Sequence, residues 1–111
     1  MSAEFQIFLG SNDQYYFRLR GGNNEIILHS QGYVYKSGCE SGISAVRVNS
    51  QYDSRYERLM SSNYQHYFNL KAANYEIIGT SENYSTGAGM EVGISSVKRN
   101  GPIAPVKDLT E

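Results

Sequence analysis

From Tyr15 to Arg20 the chain alternates: Tyr15, Phe17 and Leu19 point one way, Tyr16, Arg18 and Arg20 the other. Period-two alternation rich in aromatic residues predicts a half-buried strand, with the Phe/Leu side as core. The pattern returns from His66 to Lys71, with Phe68 and Leu70 inward and Tyr67, Asn69 and Lys71 outward. Gly21-Gly22-Asn23-Asn24 interrupts the first run and Ala72-Ala73-Asn74-Tyr75 the second. Asn tolerates positive φ, so these read as hairpin turns. Tyr75 suits that conformation poorly, which predicts a longer or differently shaped second turn. The returning strands span Glu25 to Ser30 and Glu76 to Ser81; Ile26 and Ile27 are both apolar, so periodicity does not say which faces inward.

The period then changes. Cys39, Ile43 and Val46 fall at i, i+4 and i+7, as do Met90, Ile94 and Val97, and each set makes one apolar helical stripe. Ser37 and Glu40 have capping-box spacing; in the second stretch Ala88 replaces that Ser, so Thr86 or Ser85 is expected to cap. Asn49-Ser50 and Asn100-Gly101 mark the helix ends. Gly42 and Gly93 lie inside the stripes, where each costs about 1 kcal/mol relative to Ala. Their recurrence predicts a close approach of helix to sheet.

These correspondences share one offset, 67 − 16 = 51, and about half of residues 16–49 recur identically at it. Glu4 to Leu9 has its copy at Arg55 to Met60, and one further step from Tyr56 reaches Lys107 in Val106-Lys107-Asp108-Leu109. The tail is therefore expected to fill the first-strand slot of a third repeat. The reading is one α+β domain over residues 1–111, with repeat one at 4–50, repeat two at 55–101 and a C-terminal strand segment at 102–111. Tandem β(3)-α units would join edge to edge into one pseudo-two-fold antiparallel sheet, with two helices on one face. The second repeat takes the place of a second subunit, which predicts a monomer.

Ten Lys+Arg against eleven Asp+Glu leave a formal charge of −1, so no basic excess marks a phosphate-binding chain. The single cysteine excludes an intrachain disulfide, and no Cys/His grouping has zinc-ligand spacing. Met1-Ser2-Ala3-Glu4-Phe5 has no basic start followed by an apolar run, and no stretch approaches bilayer length; a cytoplasmic protein away from membranes is expected.

Phe17-Arg18-Leu19, Glu25-Ile26-Ile27, Gly32-Tyr33, Gly42-Ile43 and Val46 resemble the repeat of the YegP-like family of uncharacterised bacterial proteins. The second copy is closer, through Asp53-Ser54-Arg55-Tyr56-Glu57-Arg58, Tyr67 to Asn74, Ile77 to Glu82, Gly93-Ile94 and Ser96 to Asn100. Ala104-Pro105-Val106 and Asp108-Leu109-Thr110 resemble the family's ending. The resemblance implies a tandem β(3)-α repeat fused into one sheet, with C-terminal strands exchanged between units. It carries over no catalytic residue, ligand or cofactor. Asn24 and Tyr75 stand where the family commonly has Gly, and Tyr35 where a Ser or Thr cap is usual.

Candidate chemistry is sparse. Tyr16, Arg18, Arg20, Tyr67 and Lys71 share the outward side of the strands, which suits bases stacking on Tyr while cations meet phosphates. Tyrosine also suits half-covered strands and Arg stems pack over rings, and the balanced charge favours that plainer reading. His29 and His66 have Thr80 and Tyr15 as counterparts, and Cys39 has Met90, so none recurs. Cys39 reads as a small buried hydrophobe. Glu25/Glu76 and Glu40/Glu91 recur, where turn-flanking positions and the helix dipole account for them. Gly87-Ala88-Gly89 lacks the strand and Lys of a phosphate loop. A non-enzymatic binding or accessory module without cofactor or metal is expected, acting through a protein or small ligand. Single-stranded nucleic-acid binding is the alternative, and an exposed sheet edge could accept a partner's strand.

Overall fold

The alternating segments and the two stripes become seven strands and two helices in the computed structural model, which describes residues 2–111. They are β1 (Glu4–Leu9), β2 (Tyr15–Arg20), β3 (Ile26–His29), α1 (Lys36–Asn49), β4 (Tyr56–Met60), β5 (His66–Lys71), β6 (Ile77–Thr80), α2 (Gly87–Asn100) and β7 (Val106–Asp108). One mixed sheet runs β4-β5-β6-β3-β2-β1-β7. The two copies meet at β3 and β6 through a single pair, His29 with Thr80, and these are repeat counterparts (80 − 29 = 51). A residue paired with its own copy lies on the pseudo-two-fold axis. The helix ends meet there too. A Cβ on Gly101 would stand 2.9 Å from Oγ of its counterpart Ser50, which is fully buried.

The core is the inward side foreseen from the alternation: Phe17, Leu19, Phe68 and Leu70 are 0% exposed, packed with Cys39, Ile43, Val46, Met90, Ile94 and Val97 from the stripes. Each helix lies on both halves, α1 against β2 and also β5 and β6, α2 against β5 and also β3. The connections after the helices cross as well. Arg47 donates to the carbonyls of Gly101 (3.3 Å) and Ala104 (2.7 Å), and its guanidinium sits 5.1 Å from the centre of the Phe5 ring. Its counterpart Lys98 reaches Asp53 at 2.8 Å and lies 5.6 Å from the centre of the Tyr56 ring.

The Ile26/Ile27 ambiguity resolves through a bulge. The β2–β3 register shifts between Leu19 and Arg20, so Ile27 and Leu28 are both buried while Ile26 is half-exposed. Gly42 and Gly93 mark close approach, but chiefly to a tyrosine. A Cβ on Gly42 would lie 2.6 Å from the Tyr33 hydroxyl and 2.9 Å from Phe17, and one on Gly93 would lie 2.7 Å from Cζ of Tyr84.

Three expectations change. The second hairpin turn is not remodelled: Tyr75 takes φ 70° just as Asn24 takes 67°, and both turns close with the same backbone bonds. Asn23 and Asn74 hold them identically, accepting from the amides of Glu25 (3.2 Å) and Glu76 (3.1 Å). The Ser37–Glu40 box does not form. The first helix begins at Lys36 after Tyr35, which makes no side-chain cap, whereas Thr86 caps the second helix by accepting from the Gly89 amide. The tail forms the expected strand around Lys107, but it does not pair as a first strand does, because β1 already holds the place beside β2. β7 adds outside β1, and this pairing is parallel where the other six strands pair antiparallel, with Lys107 beside Gln6.

Tyr75 pays a left-handed backbone penalty while 81% exposed. Substituting the first copy's residue, Tyr75→Asn, is expected to stabilise the fold by about 0.5–1 kcal/mol, read as a higher urea midpoint at unchanged slope.

Candidate binding face

Alternation against the buried Phe/Leu side puts Tyr16, Arg18, Arg20, Tyr67 and Lys71 on the face of the sheet that carries no helix. The structure does not gather them into one cluster. Tyr16, Arg18 and Arg20 stand on β2, Tyr67 and Lys71 on β5, and β3 and β6 run between. Three strand spacings separate the groups, about 14 Å.

The pairing registers line up one polar row across this face: Lys107, Gln6, Arg18, His29, Thr80, Asn69 and Glu57. The row has cations at the repeat-one end and a carboxylate at the repeat-two end. In repeat two it is internally satisfied. Glu57 pairs with Lys71 at 3.0 Å and accepts from Asn69 at 3.2 Å, while Asn69 accepts from Thr80 at 2.8 Å. Those bonds, Lys71 first, hold the Glu57 carboxyl below its usual range.

In repeat one the counterpart of Glu57 is Gln6, which is neutral. Its carbonyl oxygen accepts from Nε of both Arg18 (2.8 Å) and Arg20 (3.0 Å), and its amide donates to Glu4. Arg20 also donates to the Asn24 carbonyl at 2.7 Å. Among the described residues neither arginine has a carboxylate within ion-pair distance, and the terminal nitrogens of Arg18 have no hydrogen-bond partner. Burial, and then the neighbouring charge of Arg20, pull the Arg18 guanidinium below its ordinary value, although it stays protonated.

The guanidinium of Arg18 lies 4.5 Å from the centre of the Phe8 ring, and Phe8 stacks on Tyr16 with centres 5.6 Å apart and planes 17° apart. These three, with Ile26, His29, Ser30 and Glu82, line an open recess of about 290 Å³. Phe8, Gln6 and Glu82 join this candidate face without having stood out along the chain. The available signal was divergence between copies, since Phe8 and Gln6 face Leu59 and Glu57 at the repeat offset.

The other chemical candidates fall elsewhere. His66 opens β5 on the helix side, beside Tyr84, so the two histidines occupy opposite faces. Cys39 is fully enclosed, and burial first, with the charges of Glu40 and Asp108, pushes its thiol up to about 11. In the native protein Cys39 is expected to resist thiol reagents until the chain unfolds; labelling with a chromogenic disulfide at neutral pH, with and without denaturant, checks this. At the far edge, Arg58 of β4 replaces Ile7 of β1. It binds Asp53 at 2.9 Å and Glu91 at 2.7 Å on the helix side, and Lys98 and Arg58 together hold the Asp53 carboxyl down to about 2. None of the described helices is long and apolar enough to cross a membrane.

Comparison with known proteins agrees with the repeat reading. A family model described as a domain of unknown function, DUF1508, matches twice, at residues 11–57 and 61–108. A UPF0339 protein of Acinetobacter baylyi is 50% identical, over 99% of each chain. The UPF0339 protein YegP of Escherichia coli K12 is 47% identical, over 99% of this chain and 100% of its own. The solution structure of a Shewanella oneidensis UPF0339 protein superposes with a TM-score of 0.91 at 47% identity, covering 98% of this chain and 92% of that one. The solution structure of the E. coli protein of unknown function yegP gives a TM-score of 0.92 at 47% identity, covering 98% of this chain and 94% of that one. The chain thus belongs to the DUF1508 family, as a tandem-repeat member of the YegP-like bacterial proteins.

Proposed function

We propose that the protein is a non-enzymatic binding module and that its working surface is the repeat-one half of the helix-free face. The observation that carries this reading is the polar row, closed by its own hydrogen bonds in repeat two and left cationic and open in repeat one. Side-chain donors with no acceptor among the described residues, beside the half-buried rings of Phe8 and Tyr16, favour an anionic partner. Addition of a partner's strand to β4 is a weaker alternative, because the charged Arg58 on the helix side of that edge opposes pairing.

The copies themselves supply the test. Gln6→Glu/Arg18→Asn/His29→Thr installs at each position the residue with which repeat two folds. Tagged wild-type and triple-variant chains are recovered from bacterial cells under native conditions and the retained molecules are compared. Wild type is expected to retain material that the variant loses. Identical retention contradicts the reading.

A second reading, single-stranded nucleic acid across the whole face, is favoured by Tyr16 and Tyr67 sharing that face with Arg18, Arg20 and Lys71. It predicts salt-dependent binding of an oligonucleotide, and no binding at low ionic strength removes it.

A further inference from the structure

Resting on the reading that the repeat-one face is the working surface, we infer that it binds one nucleotide unit, phosphate against Arg18 and Arg20, base in the recess walled by Phe8, Tyr16 and His29. Two arginines two residues apart on a strand, Arg18 and Arg20, present adjacent guanidiniums to the same side of the sheet. With Gln6 engaging only their Nε atoms, the outer nitrogens of Arg18 and one of Arg20 remain for phosphate oxygens. The neighbouring recess of about 290 Å³ has ring and aliphatic walls and is near the small end of ligand pockets, a match to one planar base.

Glu82 decides against a plain polyanion. It comes from repeat two and stands at the rim of this recess and of the adjoining one lined by Arg20, Glu25 and Ile26. A carboxylate there repels a second phosphate but accepts from the ring N–H and amino groups of a base. Further along the row the charge reverses at Glu57, so a strand laid across both copies would run its backbone from arginines toward a carboxylate. One unit suits the arrangement better than a polymer. Repeat two lacks the site, because Asn69, Thr80 and Leu59 stand where repeat one has Arg18, His29 and Phe8.

Titration calorimetry at low ionic strength tests this with adenosine 5′-monophosphate, guanosine 5′-monophosphate, inorganic phosphate and a single-stranded tetranucleotide. At least one monophosphate is expected to bind once per chain, with inorganic phosphate at least about tenfold weaker. The Gln6→Glu/Arg18→Asn/His29→Thr chain, its fold checked by thermal melting, is expected to lose at least about tenfold. A tetranucleotide no tighter than the monomer identifies a free nucleotide; a much tighter one identifies the same unit within a strand. Two sites per chain, equal affinity for inorganic phosphate, or equal weakening by Lys71→Gln overturns the inference. So does binding of an acidic peptide but of no nucleotide. If no nucleotide binds while native capture still separates wild type from variant, the ligand class is wrong and the face reading stands. If capture also fails to separate them, both fall.

Discussion

Phe68→Ala is expected to destabilise the protein by about 3–5 kcal/mol, and Phe17→Ala by a similar amount. Both rings are completely buried at equivalent positions, and each meets the first-strand aromatic of its copy edge-on, Phe17 with Phe5 and Phe68 with Tyr56. Truncation leaves a cavity that a close-packed interior fills poorly. For a chain of this size the loss corresponds to a drop of very roughly 15–25 °C in melting temperature. The topology adds a sharper expectation. Since α1 rests on β5 and β6 as well as β2, a hole in either copy should lower one shared transition. Coincident loss of far-ultraviolet circular dichroism and tyrosine fluorescence in urea checks this. A variant that melts one half and leaves the other standing would show independent repeats.

Arg47→Met is expected to cost about 1.5–3 kcal/mol, because it strands two carbonyls in the crossing segment. Gly101 and Ala104 are buried, and the Arg47 bonds at 3.3 and 2.7 Å join α1 to the chain that leaves α2. That chain goes on to place β7 against β1, where Pro105 accepts from the Phe5 amide and Leu109 donates to the Ile7 carbonyl. Loosening the clamp should therefore speed exchange at the Phe5 and Leu109 amides beyond the global change, measured by hydrogen exchange. Lys98→Met in the other copy should cost under about 1 kcal/mol, since its partner Asp53 is 64% exposed and water screens the pair.

Most of the fold could be read from the chain because its causes are local or repeated. Phe17, Leu19, Phe68 and Leu70 announce the inward face by alternation, and Cys39, Ile43 and Val46 announce the helix by spacing. What could not be read arises where distant segments meet. The bulge that buries both Ile27 and Leu28 is set by pairing with β2. The φ of Tyr75 follows from a turn held by Asn74 and its backbone bonds, which override a side chain's own preference. The place of β7 outside β1 depends on the slot being full, which no local pattern records. The candidate face was legible in part: Arg18, Arg20 and Tyr16 stand out on the strand, but the pairing of Lys71 shows only when Glu57 is seen beside it. Gln6 and Phe8 join that face only through pairing across strands. The repeat shows why. Residues that a strand, turn or helix needs are kept in both copies, and the open cationic surface exists in one.

That asymmetry is open to observation at single residues. Amide chemical shifts are recorded as adenosine or guanosine 5′-monophosphate is added to the uniformly labelled protein. Phe8, Tyr16, Arg18, Arg20 and His29 are expected to respond while their counterparts Leu59, Tyr67, Asn69, Lys71 and Thr80 stay still. Equal responses in both copies, responses gathered on the helices, or none at any residue would contradict a nucleotide site confined to repeat one.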